Sequence, residues 1–426
     1  MKYYPFKFSL LLILLFPVND KLAAQQLTLE ECYQLAKQNY PDVQKLGLIE
    51  KSAELDIENA GKGNLPQINF TGKATYQSEV TNYADLLGTS NPAMKFPEFS
   101  KDQYKIQGEV SQLIYDGGNI KNQKSLIRTN SELEKQNIET RLYAIKERVN
   151  NLYFSVLLID EQVKQNEINK ANLQTQADKT EAQLKNGVAF RSNLNELKAE
   201  VLNIEMKSTE LAANRNAYLK MLSLFVGKEI NSSVQLKKPV IEEVAYSNNR
   251  PEIKAFDIQK SLYDIQEKQI RTELIPKMNA FIQGAYGRPN LNGLSNDFRP
   301  WYITGLQFSW NLGSLYTRNN RKKILQFSRE KAEADKKTFL FNSGLDLLQQ
   351  NDEVKKYKSL ITQDKQVIEL RESVTQSSVA QLNNGVITTY EYIQKLNNEN
   401  AAKQLRILHE IQLLQAQYKQ KFITGN

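Results

Sequence analysis

Apolar and polar positions along this chain follow two different periods. From Gln67 to Tyr76, the residues Ile68, Phe70, Gly72, Ala74 and Tyr76 alternate with Gln67, Asn69, Thr71, Lys73 and Thr75. A period of two predicts a strand with one apolar and one wet face, near the length of about 9–11 residues that crosses a membrane in a tilted barrel. Three further stretches read the same way. Tyr104 to Tyr115 sets Ile106, Gly108, Val110 and Ile114 against Gln107, Glu109 and Ser111, and Trp301 to Trp310 sets Tyr302, Thr304, Leu306, Phe308 and Trp310 against Gly305, Gln307 and Ser309. Lys277 to Tyr286 alternates least cleanly, which leaves its facing open.

After Asp116-Gly117-Gly118 the period changes to that of a helix. Ile138, Leu142, Ile145, Val149, Leu152, Val156, Ile159 and Val163 step alternately by four and three, a coiled-coil seam. No proline interrupts the tract from Asp116 to Val188, so the helix has room for about 70 residues, or roughly 100 Å at 1.5 Å per residue. A weaker echo, one residue per heptad, runs through Leu340, Leu347, Val354, Ile361 and Ile368. Leu184-Lys185-Asn186-Gly187-Val188 and Leu382-Asn383-Asn384-Gly385-Val386 supply helix stops with a glycine suited to a left-handed cap, and a second helix returns toward Gly227 or Gly425. Upstream, Thr28 and Glu31 form a capping-box pattern opening a helix with apolar Leu29, Cys32, Leu35 and Ala36. That helix breaks near Pro41, resumes to about Ala60 and stops at Gly61, Gly63 and Pro66.

These features occur twice. Pro41, Pro66, Asn69 and Tyr76 reappear 210 residues later as Pro251, Pro276, Asn279 and Tyr286, and Tyr104, Ser111, Gly187 and Gly227 reappear 198 residues later as Tyr302, Ser309, Gly385 and Gly425. A constant offset on either side of one indel indicates a tandem duplication, far longer than a solenoid repeat. Each half makes two strands and a long helical hairpin. Between paired strands, Gln77 to Gln103, with Asn91-Pro92 and Phe96-Pro97, and Gly287 to Pro300, with Arg288-Pro289, read as exposed loops.

Composition narrows the setting. Lys2 and Lys7 precede an apolar run from Phe8 to Phe16, and Leu22-Ala23-Ala24 offers small residues for cleavage near Gln25, so residues 1–24 read as a secretory signal peptide. Its loss takes the net charge from +8 to +6, three lysines and one aspartate being removed. Lysines and glutamates are interspersed, which marks a solvated surface rather than a nucleic-acid footprint. No later stretch reaches the roughly 20 apolar residues of a transmembrane helix. Cys32 is the only cysteine and follows Glu30-Glu31, a context that suits neither a disulfide nor lipid attachment. His409 is the only histidine and has no cysteine near it, so no zinc-type ligand set is present and no metal or other cofactor is expected. There is no nucleophile elbow and no phosphate loop; Gly61-Lys62-Gly63 lacks a third glycine and follows a helix, so catalysis is not expected.

Four strands cannot close a membrane barrel, since a small one already takes about eight, and open edges in lipid leave backbone groups unpaired. Several copies must share one barrel. Aromatic residues gather at the strand ends: Tyr76, Tyr104, Tyr115, Tyr286, Trp301, Tyr302 and Trp310. In a membrane barrel they form an interfacial girdle; in a soluble sheet they are ordinary core and edge.

The duplicated strand-strand-hairpin plan resembles the TolC-like outer-membrane efflux proteins over about the whole mature chain. The resemblance is carried by Asn39-Tyr40-Pro41 and Arg250-Pro251-Glu252, by Tyr115-Asp116-Gly117-Gly118, and by the tips Gly187-Val188 and Gly385-Val386. It implies a mainly α chain with a β-barrel part: a homotrimer whose twelve strands form one barrel in outer-membrane lipid, continued by a long coiled-coil α-barrel through the periplasm. It implies helical segments at 25–64 and 228–275, strands at 65–116 and 276–311, and hairpins at 117–227 and 312–426. It further implies docking of a periplasmic membrane-fusion adaptor and an inner-membrane RND or ABC transporter at the tips. The acidic positions that ring the periplasmic mouth in such proteins fall on Glu391 and Gln394, with Asn193 and Glu196 in the first half. Read from the residues alone, Glu391 and Glu196 are equally solvated helix residues. A periplasmic coiled-coil adaptor is the alternative, since it too carries a long helical hairpin, but it has no need of four membrane-length strands.

Overall fold

The computed structural model describes residues 26–83, 88, 98–240 and 248–426. The expected signal peptide and the Asn91-Pro92 and Phe96-Pro97 turns lie outside the described residues. The helices are α1 (Leu29–Asn39), α2 (Val43–Lys62), α3 (Asn119–Lys185), α4 (Arg191–Val226), α5 (Pro251–Thr272), α6 (Ser314–Asn383) and α7 (Thr389–Thr424). The strands are β1 (Gln26–Leu27), β2 (Gln67–Tyr76), β3 (Asp102–Tyr115), β4 (Gln235–Leu236), β5 (Lys277–Arg288) and β6 (Arg299–Ser309). The chain divides into two compact units.

The first unit comprises, among the described residues, 26–39, 145–240 and 351–419. Its α1 opens as the sequence predicts: the Thr28 amide donates to Glu31 Oε2 (2.8 Å) and the Glu31 amide to Thr28 Oγ1 (3.2 Å), which satisfies two of the helix's orphan donors. β1 and β4 pair in parallel, and the buried Tyr153 hydroxyl lies 2.8 Å from the Leu27 carbonyl and 2.7 Å from that of Lys237, tying both strands to α3. The seam residues Ile145, Val149, Leu152, Val156 and Ile159 are all buried. Of the echo on α6, Ile368 is buried but Val354 and Ile361 are only half-buried. One apolar residue per heptad cannot make an a/d pair, so that helix has no continuous seam of its own. Cys32 is fully buried, and burial pushes its thiol up to about 12, which leaves it an inert core residue. His409 Nδ1 meets Asp364 Oδ2 at 2.7 Å between α7 and α6, both side chains mostly buried, so this histidine serves packing.

The second unit holds a four-stranded antiparallel sheet in the order β2-β3-β5-β6, with a bulge between Leu113 and Tyr115. Asp116 leads the chain from β3 into α3, its carboxylate accepting from the amides of Gly118 (2.7 Å) and Ile120 (2.6 Å). Gly117 has φ +70, and a Cβ there would lie 2.8 Å from Ile275, so conformation and space both require glycine. The helices of this unit are joined by ion pairs, among them Arg141 to Asp42 (2.9 Å) and Arg329 to Glu267 (2.8 Å).

The duplication is visible at equivalent helix ends, one in each unit. Gly227 closes α4 in the left-handed region against Asn39, whose Nδ2 donates to the Leu224 carbonyl (3.0 Å). Gly425 follows α7 at φ +80 against Asn249, whose amide donates to the Thr424 carbonyl (2.8 Å). Among the described residues no helix is long and apolar enough to cross a membrane.

Candidate membrane face and hairpin tips

The register of the sheet sorts its side chains. Cross-strand partners in antiparallel strands share a face. Ile68 pairs with Val110, which pairs with Ile282, which pairs with Thr304; Gly72 pairs with Ile106, which pairs with Tyr286. One face therefore collects Ile68, Phe70, Ile106, Val110, Ile282, Tyr302, Leu306 and Phe308, and all of them are exposed, Phe70 at 77% and Leu306 at 71%. The other face carries Gln67, Asn69, Thr71, Gln107, Glu109, Ser111, Gln283 and Gln307. A contiguous apolar face of this kind in one protomer marks a surface meant for lipid or for another protein.

The register also settles β5, whose facing the sequence left open: Met278, Ala280, Ile282, Gly284 and Tyr286 share the apolar face. Its weak alternation comes from Phe281 on the polar face, whose ring covers Gly305; a Cβ on that glycine would meet the ring at 3.3 Å. Strand ends shift slightly from expectation, with β3 beginning at Asp102 and β6 running from Arg299 to Ser309.

Six of the seven expected girdle residues, Tyr76, Tyr104, Tyr115, Tyr286, Tyr302 and Trp310, have exposed rings. Tyr76, Tyr104, Tyr286 and Tyr302 lie toward the loop end of the apolar face, where Phe298 stacks with Tyr104 and Tyr286 at 6.3 and 6.0 Å. Tyr115 pairs with Met278 at the helix end, and Trp310 donates from Nε1 to the Leu274 carbonyl (2.9 Å). From Tyr302 to Trp310 the strand rises about 26 Å at roughly 3.3 Å per residue. Trp301 is the correction. It pairs with Ala285 on the polar face and lies under Lys105, whose Nζ is 5.8 Å from the ring centroid. Adjacent residues on a strand point to opposite faces, so Trp301 and Tyr302 cannot both belong to one girdle.

Both hairpin tips belong to the first unit and close alike. At the end of α3 the Gly187 amide donates to Leu184 O (3.0 Å) and the Val188 amide to Gln183 O (2.9 Å); at the end of α6 the Gly385 amide donates to Leu382 O (3.0 Å) and the Val386 amide to Gln381 O (2.8 Å). These are two Schellman motifs, with the glycines at φ +74 and +70 and nothing crowding either. Val188 and Val386 are exposed, as are Phe190 and Tyr390 at the starts of the returning helices. Behind the tips a single apolar cluster joins both hairpins: Leu173, Leu194, Leu197 and Val201 from the first, Tyr392 and Leu396 from the second.

The four expected constriction residues sit on the first two turns of α4 and α7. Glu391 caps α7: Thr388 donates to its carboxylate from the amide (2.8 Å) and from Oγ1 (3.0 Å), and the Glu391 amide returns to Thr388 Oγ1 (3.2 Å). Those bonds hold its carboxyl below the usual range. The sequence carries the signal for this, since Thr388-x-x-Glu391 repeats the spacing of Thr28-x-x-Glu31. Gln394 donates to the Tyr390 hydroxyl (2.6 Å), Asn193 accepts from Ser192 Oγ (3.4 Å), and Glu196 is exposed. Among the described residues no group of three or more His, Cys, Asp or Glu side chains is arranged to hold a metal ion.

The architecture is thus a duplicated chain with an exposed apolar sheet and paired helical hairpins. Residues 32–227 match the family described as outer membrane efflux protein. The fold is similar to the outer-membrane channel OprN (12% identity, 93% of this chain and 89% of that one, TM-score 0.67). It is also similar to the CmeC outer membrane channel of Campylobacter jejuni (12% identity, 93% and 85%, TM-score 0.65) and to the open state of the MtrE outer membrane channel of Neisseria gonorrhoeae (10% identity, 93% and 89%, TM-score 0.66). No curated protein matches the chain by sequence. The chain thus has the fold of these outer-membrane channels, and its first half matches the outer membrane efflux protein family.

Proposed function

We propose that the chain is the exit duct of a tripartite efflux or type I secretion system, working as a homotrimer without catalysis. The observation that carries this reading is the open sheet: β2 and β6 are both edges, each with an unpaired row of backbone groups, and the sheet between them exposes an apolar face. Edges of that kind are untenable in lipid, and pairing β6 of one copy with β2 of the next removes them. Three copies give a closed twelve-stranded barrel with Gln107, Glu109 and Ser111 facing a wet lumen. Solutes pass by diffusion, and the work is done by an inner-membrane RND or ABC transporter joined through a periplasmic adaptor.

The adaptor is proposed to dock at the tips, where Gly187, Val188, Gly385 and Val386 turn the chain and present apolar side chains to solvent. Flow is controlled where the tips converge, by Glu391, Gln394, Asn193 and Glu196. The test is the oligomeric mass of the mature protein after detergent extraction from purified outer membranes. A homotrimer is the expected result; a soluble monomer absent from that membrane would restore the alternative of a periplasmic coiled-coil adaptor.

A further inference from the structure

One row of the sheet's polar face is cationic. Lys73 pairs with Lys105, Lys105 with Gly287, and Gly287 with Arg299, so a single line across all four strands carries three basic residues. The fourth position must be glycine, because a Cβ on Gly287 would lie 2.2 Å from the Tyr104 carbonyl oxygen. Like charges placed directly opposite each other on neighbouring strands are destabilising, with Cβ atoms about 4.5–5.5 Å apart. Lys73 and Lys105 are such a pair.

Among the described residues neither lysine has an ion pair, and Lys105 rests over the Trp301 ring instead. Glu109, on the same face, is four residues along β3, about 13 Å away at 3.3 Å per residue and beyond the physiological Debye length of about 8 Å. Asp102 pairs with Tyr76 and so belongs to the apolar face, where its carboxylate binds Arg288. Asp297 engages Arg299 at 3.0 Å. Asp102 and Asp297 are thus turned outward or attached to the arginine, which leaves the two lysines without an ion pair among the described residues.

We propose that this row forms an anion-binding belt inside the external mouth of the barrel, which retains and selects cargo bearing a multivalent phosphate or carboxylate group. The proposal rests on the trimeric-duct reading, in which every protomer adds Lys73, Lys105 and Arg299 to one ring. The row lies near the loop end of the strands, opposite the end from which α3 and α6 depart, so the belt is the last charged station before cargo leaves. A low-dielectric wall around a cationic ring focuses the field and concentrates anions there. The Trp301 ring beside Lys105 adds an apolar surface at the same level.

The experiment uses the full mature protein in planar bilayers of neutral phosphatidylcholine, with inorganic tripolyphosphate as the probe. Added to the chamber facing the barrel, it is expected to block wild-type current, and the half-blocking concentration should rise at least tenfold in Lys73→Gln/Lys105→Gln. The reversal potential in a KCl gradient should shift toward cation preference in the same variant. Lys73→Arg keeps the charge and should keep the block. Lys277→Gln removes a lysine from the helix end of the same face and should leave the block unchanged. Equal block in wild type and the double variant, or equal loss in Lys277→Gln, would overturn the belt while leaving the duct intact. Absence of any channel activity from trimeric wild-type protein would overturn the duct itself, and the belt with it.

Discussion

Replacing Phe70 with aspartate tests the facing of the sheet most directly when Thr71→Asp is made beside it. The two sites are consecutive on β2, receive the same charge, and differ only in the face to which they point. Phe70 is 77% exposed in the protomer, with its ring over Gly108, so its burial comes from the surroundings and not from the chain's own core. Transferring a phenylalanine side chain out of water is worth about 1.5–3 kcal/mol. A charge on the lipid face near the midplane adds a penalty of about 2–4 kcal/mol for a basic residue and less for an acid. Together these cost on the order of 3 kcal/mol per protomer, and about three times that for a symmetric trimer. Thr71 pairs with Gln107 on the polar face and stands next to Lys73, where an aspartate remains in water. The assay is the fraction of SDS-resistant trimer recovered from purified outer membranes, with the urea midpoint of the reconstituted protein. Phe70→Asp should abolish the trimer band and Thr71→Asp should leave it close to wild type. The reverse outcome would show that the apolar face does not meet lipid.

Three further outcomes follow from particular contacts. Gly385→Ala places a side chain at φ +70 where nothing crowds it, so the penalty is conformational alone, about 1–2 kcal/mol, and should appear as faster amide exchange confined to the second tip. The carboxyl of Glu267 is held down to about 2 by Arg329 and then Arg271, so its contribution to stability is complete above the ordinary carboxylate value and is lost as pH falls from about 4.5 toward 2; thermal unfolding of Glu267→Gln should show a shallower decline across that window than wild type. Glu391→Gln with Gln394→Ala keeps a capping residue at position 391 while removing its charge, and should raise single-channel conductance or weaken cation block in a planar bilayer; unchanged conductance would place the constriction elsewhere.

Much of this architecture was legible because it is periodic. The alternation in β2 and β6, the seam from Ile138 to Ile159 and the glycines at both tips each repeat a simple local rule, and local rules survive in a single sequence. What a single sequence does not carry depends on partners far apart in the chain. The bulge at Leu113/Tyr115 lies in the run Leu113-Ile114-Tyr115, which is apolar throughout and gives no phase to read. Trp301 is legible by period, being out of phase with Tyr302, Leu306 and Phe308. The row of Lys73, Lys105 and Arg299 exists only once the register of three strand pairs is known.

The two hairpins also divide their acidity in a way that bears on the mouth. At equivalent positions the first carries Asn193 and Glu196 where the second carries Glu391 and Gln394, so each keeps one carboxylate and gives up the other. The two positions are three residues apart on a helix, about 4.5 Å along its axis at 1.5 Å per residue, and on neighbouring faces. In the proposed trimer six hairpins would alternate around the mouth, and their carboxylates would stand in two staggered rings of three rather than in one ring of six. Both side chains are exposed, and the bonds from Thr388 hold the Glu391 carboxyl below the usual range. Repulsion within each ring would be weaker than among six charges at one level. A cation entering the proposed mouth would meet Glu391 and Glu196 at separate depths.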